Sequence, residues 1–375
     1  MERLNKLAEN ILKNSVNLQA GEKIYLEGIG PNTQPLLRAL IEKAVELGGI
    51  PFYFYNDSSL TNAMLMHANE DQVKGFSDFH AQIMQQMDVS VGIRSHNNPC
   101  DDSDSPEVAR KWYNQHYVGN VQLGIRVHNT RWCVMRYPND VMAFGAGLSN
   151  KQFEEFYYKS CLIDYGHMEK CMQPLVELMK KTDKVHIIAP YTDLTFSIAG
   201  IGAKACCGHR NIPDGEVFTA PIKDSINGYI RFNTPDYQNG KRFSNIELKF
   251  KDGKIVDARH DGAKQDLIDV LETDEGSRYM GEFALGINPY ITRPMGDALF
   301  DEKITGSLHM AIGNSLPDTP NGNRSGIHWD LIQIQTPEYG GGEIWFDDVL
   351  IRKDGLFVVP ELELLNPENL AQWSM

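Results

Sequence analysis

The first 95 residues switch repeatedly between two hydrophobic periods, and this limits the fold more than any other feature. Residues 23–28 (KIYLEG) read as a strand. Gln34 to Leu47 carries apolar residues at 36, 37, 40, 41, 44 and 47, the spacing of one helix face. Gly48-Gly49 ends it, where a residue free to take positive φ is useful. Residues 50–55 (IPFYFY) form a second, aromatic strand, 70–87 has helical spacing, and 89–93 (VSVGI) reads as a buried strand. A β-α-β-α-β order predicts a parallel, doubly wound sheet.

Residues 96–102 have turn composition. Residues 132–138 continue the sheet, and 151–160 and 164–181 are helical. The run Lys180-Lys181-Thr182-Asp183 breaks the pattern. We therefore expect an N-terminal α/β domain over 1–183 and a C-terminal α+β domain with a mixed sheet over 184–375. The second domain is strand-rich. It starts with a strand at 185–190. Strands at 245–251 and 254–260 flank Asp252-Gly253, a short hairpin signal. A helix follows at 262–271, then strands at 327–336 and 343–352, and a second hairpin at Asp354-Gly355.

Charge and apolar run length exclude several functions. Lys and Arg number 36 against 50 Asp and Glu, a net charge of −14, which argues against nucleic acid as partner. The longest apolar run, 141–148, is far short of the roughly 20 residues of a membrane span. The N-terminus is charged and amphipathic without an apolar signal core, so the expected location is cytoplasmic. The six cysteines are sparse and form no CxxC pair, and are read as reduced thiols.

Phosphate-loop, nucleophile-elbow and HExxH patterns are missing. What stands out is a series of acidic and His-bearing segments in the second half: 214–221 (DGEVFTAP), 280–286 (MGEFALG), 299–303 (LFDEK) with His309, and 328–330 (HWD). Three of the four embed a charge in apolar, strand-like sequence. A buried carboxylate is costly unless paired or metal-bound. His328 and Asp330 are two apart, so on a strand they share a face, as a pair of metal ligands would. Taken singly, Glu216 reads first as a solvated strand residue and His328 first as a hydrogen-bonded core residue.

In their order along the chain, these segments and 192–198 (TDLTFSI) resemble the thermophilic metallo-aminopeptidase family of aminopeptidase T and aminopeptidase S. The resemblance implies a pair of divalent ions, zinc or cobalt, with manganese as a third option. Glu216 would ligate one ion, Glu282 would bridge both, His309 would ligate one, and His328 with Asp330 the other. Glu302 would be the general base or an additional ligand. A small peptide would be the substrate and a homodimer the working form. Two departures stand out. His309 lies seven positions after Glu302, two more than in the family, and Leu316 stands where the family has Tyr.

Two alternatives stay open. His309, His328 and Asp330 are also the 2-His-1-carboxylate set of a mononuclear non-haem Fe(II) enzyme, and a ring-cleaving dioxygenase group is similar to the same fold family. A non-catalytic metal or peptide binder is the third reading. Arg324 is the expected neutraliser of a ligand carboxylate. His96, His116, His128 and His209 are expected outside the site.

Overall fold

Strands Lys23–Ile29 and Val89–Arg94 lie side by side and parallel, and both are buried along nearly their whole length. They form the middle of a five-stranded sheet in the order Ile50–Asn56, Lys23–Ile29, Val89–Arg94, Arg131–Arg136, Asn211–Ile212, with every neighbour parallel. Strands buried on both faces are what a helix-covered parallel sheet requires. The computed structural model describes residues 2–95, 104–238 and 241–373. The expected turn at 96–102, with His96 and Cys100, lies outside the described residues. The helices sit where the periodicity placed them. Gln34–Glu46 buries Leu36, Leu37, Ala39, Leu40 and Ala44, and Gly48 follows it at φ 80°. Glu70–Met84 starts at a capping box in which Asn69 accepts from the Gln72 N–H.

The chain divides into two compact units, Met1–Leu162 with Gly208–Ile212, and Ile163–Cys207 with Pro213–Met375. The single boundary expected at 183/184 is corrected in two respects. Helix Tyr165–Lys181 belongs to the second unit, where Met168, Met172, Leu175, Val176 and Met179 are buried. The chain also returns to the first unit to add the Asn211–Ile212 strand. Periodicity shows that a helix has a buried face, but not which sheet covers it.

The second unit holds two larger sheets. One has eight strands, from Lys254–Arg259 at one edge to Leu356–Phe357 at the other. The other has five, in the order His328–Ile334, Ser307–Gly313, Met280–Gly286, Glu216–Thr219, Lys204–Cys206. The expected α/β class with two units holds, but the expected mixed sheet is corrected: neighbours in both sheets pair antiparallel. The Asp252-Gly253 hairpin forms, with both residues at positive φ (49° and 77°). The segment 343–352, expected as one strand, is itself a hairpin, Glu343–Phe346 against Val349–Lys353. Its turn residues Asp347 and Asp348 take φ 46° and 66°, the backbone of a two-residue turn without the usual glycine.

Candidate metal centre

Register decides which side chains share a face of the five-stranded sheet. Ala311 pairs with Glu282 on one side and with Asp330 on the other. Ala284 pairs with His309, Gly286 with Glu216, and Gly313 with His328. Side chains alternate along a strand and paired residues point the same way. Glu216, Glu282, His309, His328 and Asp330 therefore project from one face, interleaved with Ala284, Gly286, Ala311 and Gly313. These small residues leave room for the polar side chains to converge. The opposite face carries Phe283, Leu285, Leu308, Met310 and Ile312, all buried. There Phe283 meets Phe196 of the eight-stranded sheet edge to face, with centroids 5.1 Å apart. One face is thus packed into the core and the other carries the convergent polar side chains.

Glu282 reaches both histidines. Its Oε1 lies 3.4 Å from His309 Nε2 and its Oε2 3.2 Å from His328 Nε2. Glu216 Oε2 is 3.5 Å from His309 Nε2. Asp330 presents Oδ1 to His309 at 3.9 Å and Oδ2 to His328 at 3.6 Å. Two triads result, Glu216–Glu282–His309 and Glu282–His328–Asp330, each with one ligand atom per residue within 4.8 Å of the others. Glu282 is common to both. His328 donates its Nδ1–H to the Asn314 carbonyl at 2.8 Å, which turns Nε2 toward the carboxylates. This backbone anchor is the usual support of a metal-ligating imidazole.

Exposure grades across the cluster. The His309 side chain is 1% exposed, Glu282 5% and Glu216 9%, against 15% for Asp330, 18% for Glu302 and 28% for His328. The centre therefore opens on its Asp330, His328 and Glu302 side.

Glu302 is brought in by a glycine. A Cβ on Gly286 would stand 2.3 Å from the Ile304 carbonyl oxygen and 2.9 Å from that of Glu302. The bare backbone there lets the 302–304 turn lie against the strand, beside Glu216. Asn288 fastens it, donating its N–H to the Lys303 carbonyl at 3.0 Å and its side-chain amide to the Asp214 carbonyl at 2.8 Å.

The sequence reading missed Lys303. Its Nζ lies 2.5 Å from Glu302 Oε2 and 3.1 Å from Glu216 Oε2, with the side chain 2% exposed. It also corrects the expectation for Arg324, which is exposed and takes no part in the ion pairs of the centre. The only signal was the lysine that closes the 299–303 segment directly after Asp301 and Glu302, in a charged run where a lysine ordinarily reads as surface. Leu316 is half-buried on the loop after Ser307–Gly313. His116 pairs with Glu70 at 2.9 Å and His128 with the Leu123 carbonyl at 3.0 Å, in the other unit.

The electrostatics follow from packing four carboxylates and three cations together. Burial would lower His309, but the hydrogen bond with Glu282 and the charge of Glu216 raise it to about 9. Burial likewise opposes His328, and Asp330 and Glu282 raise it to about 10. Burial would raise Glu282, but its two histidines hold it well below the ordinary carboxylate range. Burial raises Glu216 in spite of Lys303, and raises Asp330 in spite of His328. For Glu302, Lys303 and His309 outweigh burial and keep it ionised.

The donor set fits divalent cations. Asp330 Oδ1 is buried with no hydrogen-bond partner. Glu216 Oε2 is near Lys303 but not aligned for a hydrogen bond. Buried acceptors left open in this way point to an ion, and imidazole with carboxylate oxygen suits zinc and its neighbours. Cys206, Asp214 and Glu216 form a third such group. Lys303 already supplies the positive charge there, and burial, then Asp214 and Glu216, keep the Cys206 thiol protonated.

Two carboxylate–histidine triads sharing one buried glutamate give this two-unit α/β chain the donor set expected of a divalent-metal enzyme. It belongs to the thermophilic metalloprotease (M29) family, whose profile matches residues 1–341, and is a peptide hydrolase. Aminopeptidase 2 from Geobacillus stearothermophilus is 26% identical over 399 residues, covering 94% of this chain and 95% of the relative. The AmpT structure from Thermus thermophilus superposes with a TM-score of 0.79 at 21% identity, covering 96% of this chain and 99% of that one. A 2,5-dihydroxypyridine dioxygenase from Pseudomonas putida superposes at 0.61 and 13% identity, covering 96% and 98%. At these identities the two structures speak for the fold alone. No helix among the described residues is long and apolar enough to cross a membrane.

Proposed function

We propose that the chain is a two-cation aminopeptidase that releases N-terminal residues from small peptides. The observation that carries this reading is the placement of Glu282, with one oxygen toward each histidine (3.4 and 3.2 Å). A carboxylate so placed could be shared by two ions. Glu216, Glu282 and His309 would hold one, and Glu282, His328 and Asp330 the other. When bound, such a pair supplies Lewis acidity for the scissile carbonyl and acidifies water.

The chain's own groups do the rest. Glu302 is ionised and more exposed than Glu216 or Glu282, so it is the carboxylate that meets water at the open side of the centre. It accepts the proton of the attacking water and delivers it to the leaving amine. A free substrate α-amine would meet the acidic, open side of the centre or an ion held there, which restricts cleavage to the N-terminal residue. The altered stretch, with Leu316 in place of a family Tyr, leaves the oxyanion without that phenol donor. Zinc, cobalt or manganese would serve as the ions. The homodimer rests on the family resemblance and is tested by sedimentation.

Metal analysis with a substrate panel is the test. About two equivalents of zinc, cobalt or manganese per chain, with hydrolysis of aminoacyl-p-nitroanilides, is the expected result. No turnover across a broad panel would remove the peptidase reading. The dioxygenase reading keeps one observation, the approach of Asp330 to both His309 and His328 (3.9 and 3.6 Å). One iron per chain and oxygen uptake with an aromatic substrate would put it first.

A further inference from the structure

Lys303 is an ammonium enclosed by the centre, and it joins two carboxylates with different duties. Its main chain is pinned on both sides: its N–H donates to the Phe300 carbonyl and its carbonyl accepts from Asn288, each at 3.0 Å. The stem therefore leaves from a fixed point and ends between Glu216 and Glu302. Glu216 is held independently, by strand pairing to Gly286. Glu302 is not strand-paired; its main-chain N–H donates to the Ala298 carbonyl at 3.0 Å. It follows the short helix Ala298–Asp301, and among the described residues Lys303 alone hydrogen-bonds its carboxylate.

We infer that Lys303 is a positioning residue whose ammonium ties Glu302 to Glu216 and so holds the proton acceptor against the centre. The close approach at Gly286 brings the 302–304 turn to the centre, and the ammonium then aims the Glu302 carboxylate into it, although seven positions separate Glu302 from His309. The duty of Glu302 rests on the aminopeptidase reading; the tie itself does not. A lysine suits the task because a compact ammonium fits between two carboxylates, whereas a guanidinium needs a wider, planar fork. With the ammonium removed, Glu216 would keep His309 at 3.5 Å, whereas the Glu302 carboxylate would lose its hydrogen-bond partner and, being the more exposed, would turn to water.

Wild type, K303M and K303R are compared in the full chain, alone and combined with E302Q. In a crystal structure of K303M the Glu302 carboxylate is expected to leave the centre while Glu216 stays. On an aminoacyl-p-nitroanilide, K303M is expected to lose on the order of 100-fold in kcat. KM should change by less than about threefold, as for a group acting mainly in the transition state. K303R should recover part of the loss, and K303M should do no further harm in the E302Q background. Glu302 staying in place in K303M, or an equal kcat loss with and without E302Q, overturns the inference. If the wild type hydrolyses no peptide, the aminopeptidase reading fails, and the crystallographic comparison still decides whether Lys303 places Glu302. Lys303→Gln, which keeps a donor and drops the charge, replaces K303M in both comparisons should the apolar variant not fold.

Discussion

Glu282 and Asp330 stand on different strands, yet each pairs with the same residue, Ala311. The width of the centre is thus set by one methyl group. Ala311 is fully buried, so a larger side chain has nowhere to go except between the two carboxylates. Ala311→Leu should abolish retention of zinc after dialysis. Overpacking should also cost about 1–3 kcal/mol in chemical denaturation. Wild-type zinc content in this variant would contradict the face assignment.

The two triads differ in what they share. Asp330 belongs to one and Glu282 to both. Asp330→Asn should lower bound metal from about two equivalents to about one, whereas Glu282→Gln should remove both. Metal content measured by plasma emission separates the cases. Equal stoichiometry in the two variants would show that Glu282 does not bridge.

Metal uptake should release protons. His309 and His328 are raised to about 9 and about 10, so in the metal-free protein both carry a proton at pH 7. A cation must displace it, and affinity should rise with pH up to those values. The sign for stability is opposite. A pKa raised above the ordinary 6.5 gives a contribution that is full below pH 6.5 and lost as pH rises to 9–10. Metal-free protein should therefore lose stability over that window, and metal-loaded protein should lose less. Calorimetry in buffers of different ionisation enthalpy measures the protons; none released at pH 7 would show that His309 and His328 are already neutral before the metal binds.

Gly286 is required by space, because a Cβ there would stand 2.3 Å from the Ile304 carbonyl oxygen. Gly286→Ala should push the 302–304 turn off the strand. A stability loss of about 1–3 kcal/mol should accompany a fall in kcat. A crystal structure with the turn unmoved would disprove this role.

A fragment ending at residue 183 should not behave as a domain. It would lack the Asn211–Ile212 strand and expose Met168, Met172, Leu175, Val176 and Met179 of a helix that the second unit covers. Exposed patches of that kind drive association. Size-exclusion chromatography should show aggregates, and a monodisperse fragment would restore the boundary at 183.

Local chemistry was legible throughout the chain. The period-2 and helical runs of residues 23–94 became the parallel sheet and its helices. Asp252-Gly253 turned where a two-residue hairpin was expected, because the preference for positive φ is written in the residue type. Asp347-Asp348 makes an equivalent turn and went unread, since aspartate is a weaker signal for that conformation. His328 and Asp330 share a face by spacing alone, whereas Glu216, Glu282 and His309 stood out as charges in strand-like segments and took their separate roles from the resemblance.

By itself, then, the sequence determined the elements, the α/β class and the residue types able to bind metal, because these depend on neighbours one to four positions away. The tertiary structure decided what residues far apart do together. Antiparallel register put Glu282 and Asp330 across from one alanine, and a close approach at Gly286 laid the 302–304 turn beside Glu216. Burial made Lys303 part of the centre, because an ammonium taken out of water must find carboxylates, and only the folded chain says which ones lie within its reach.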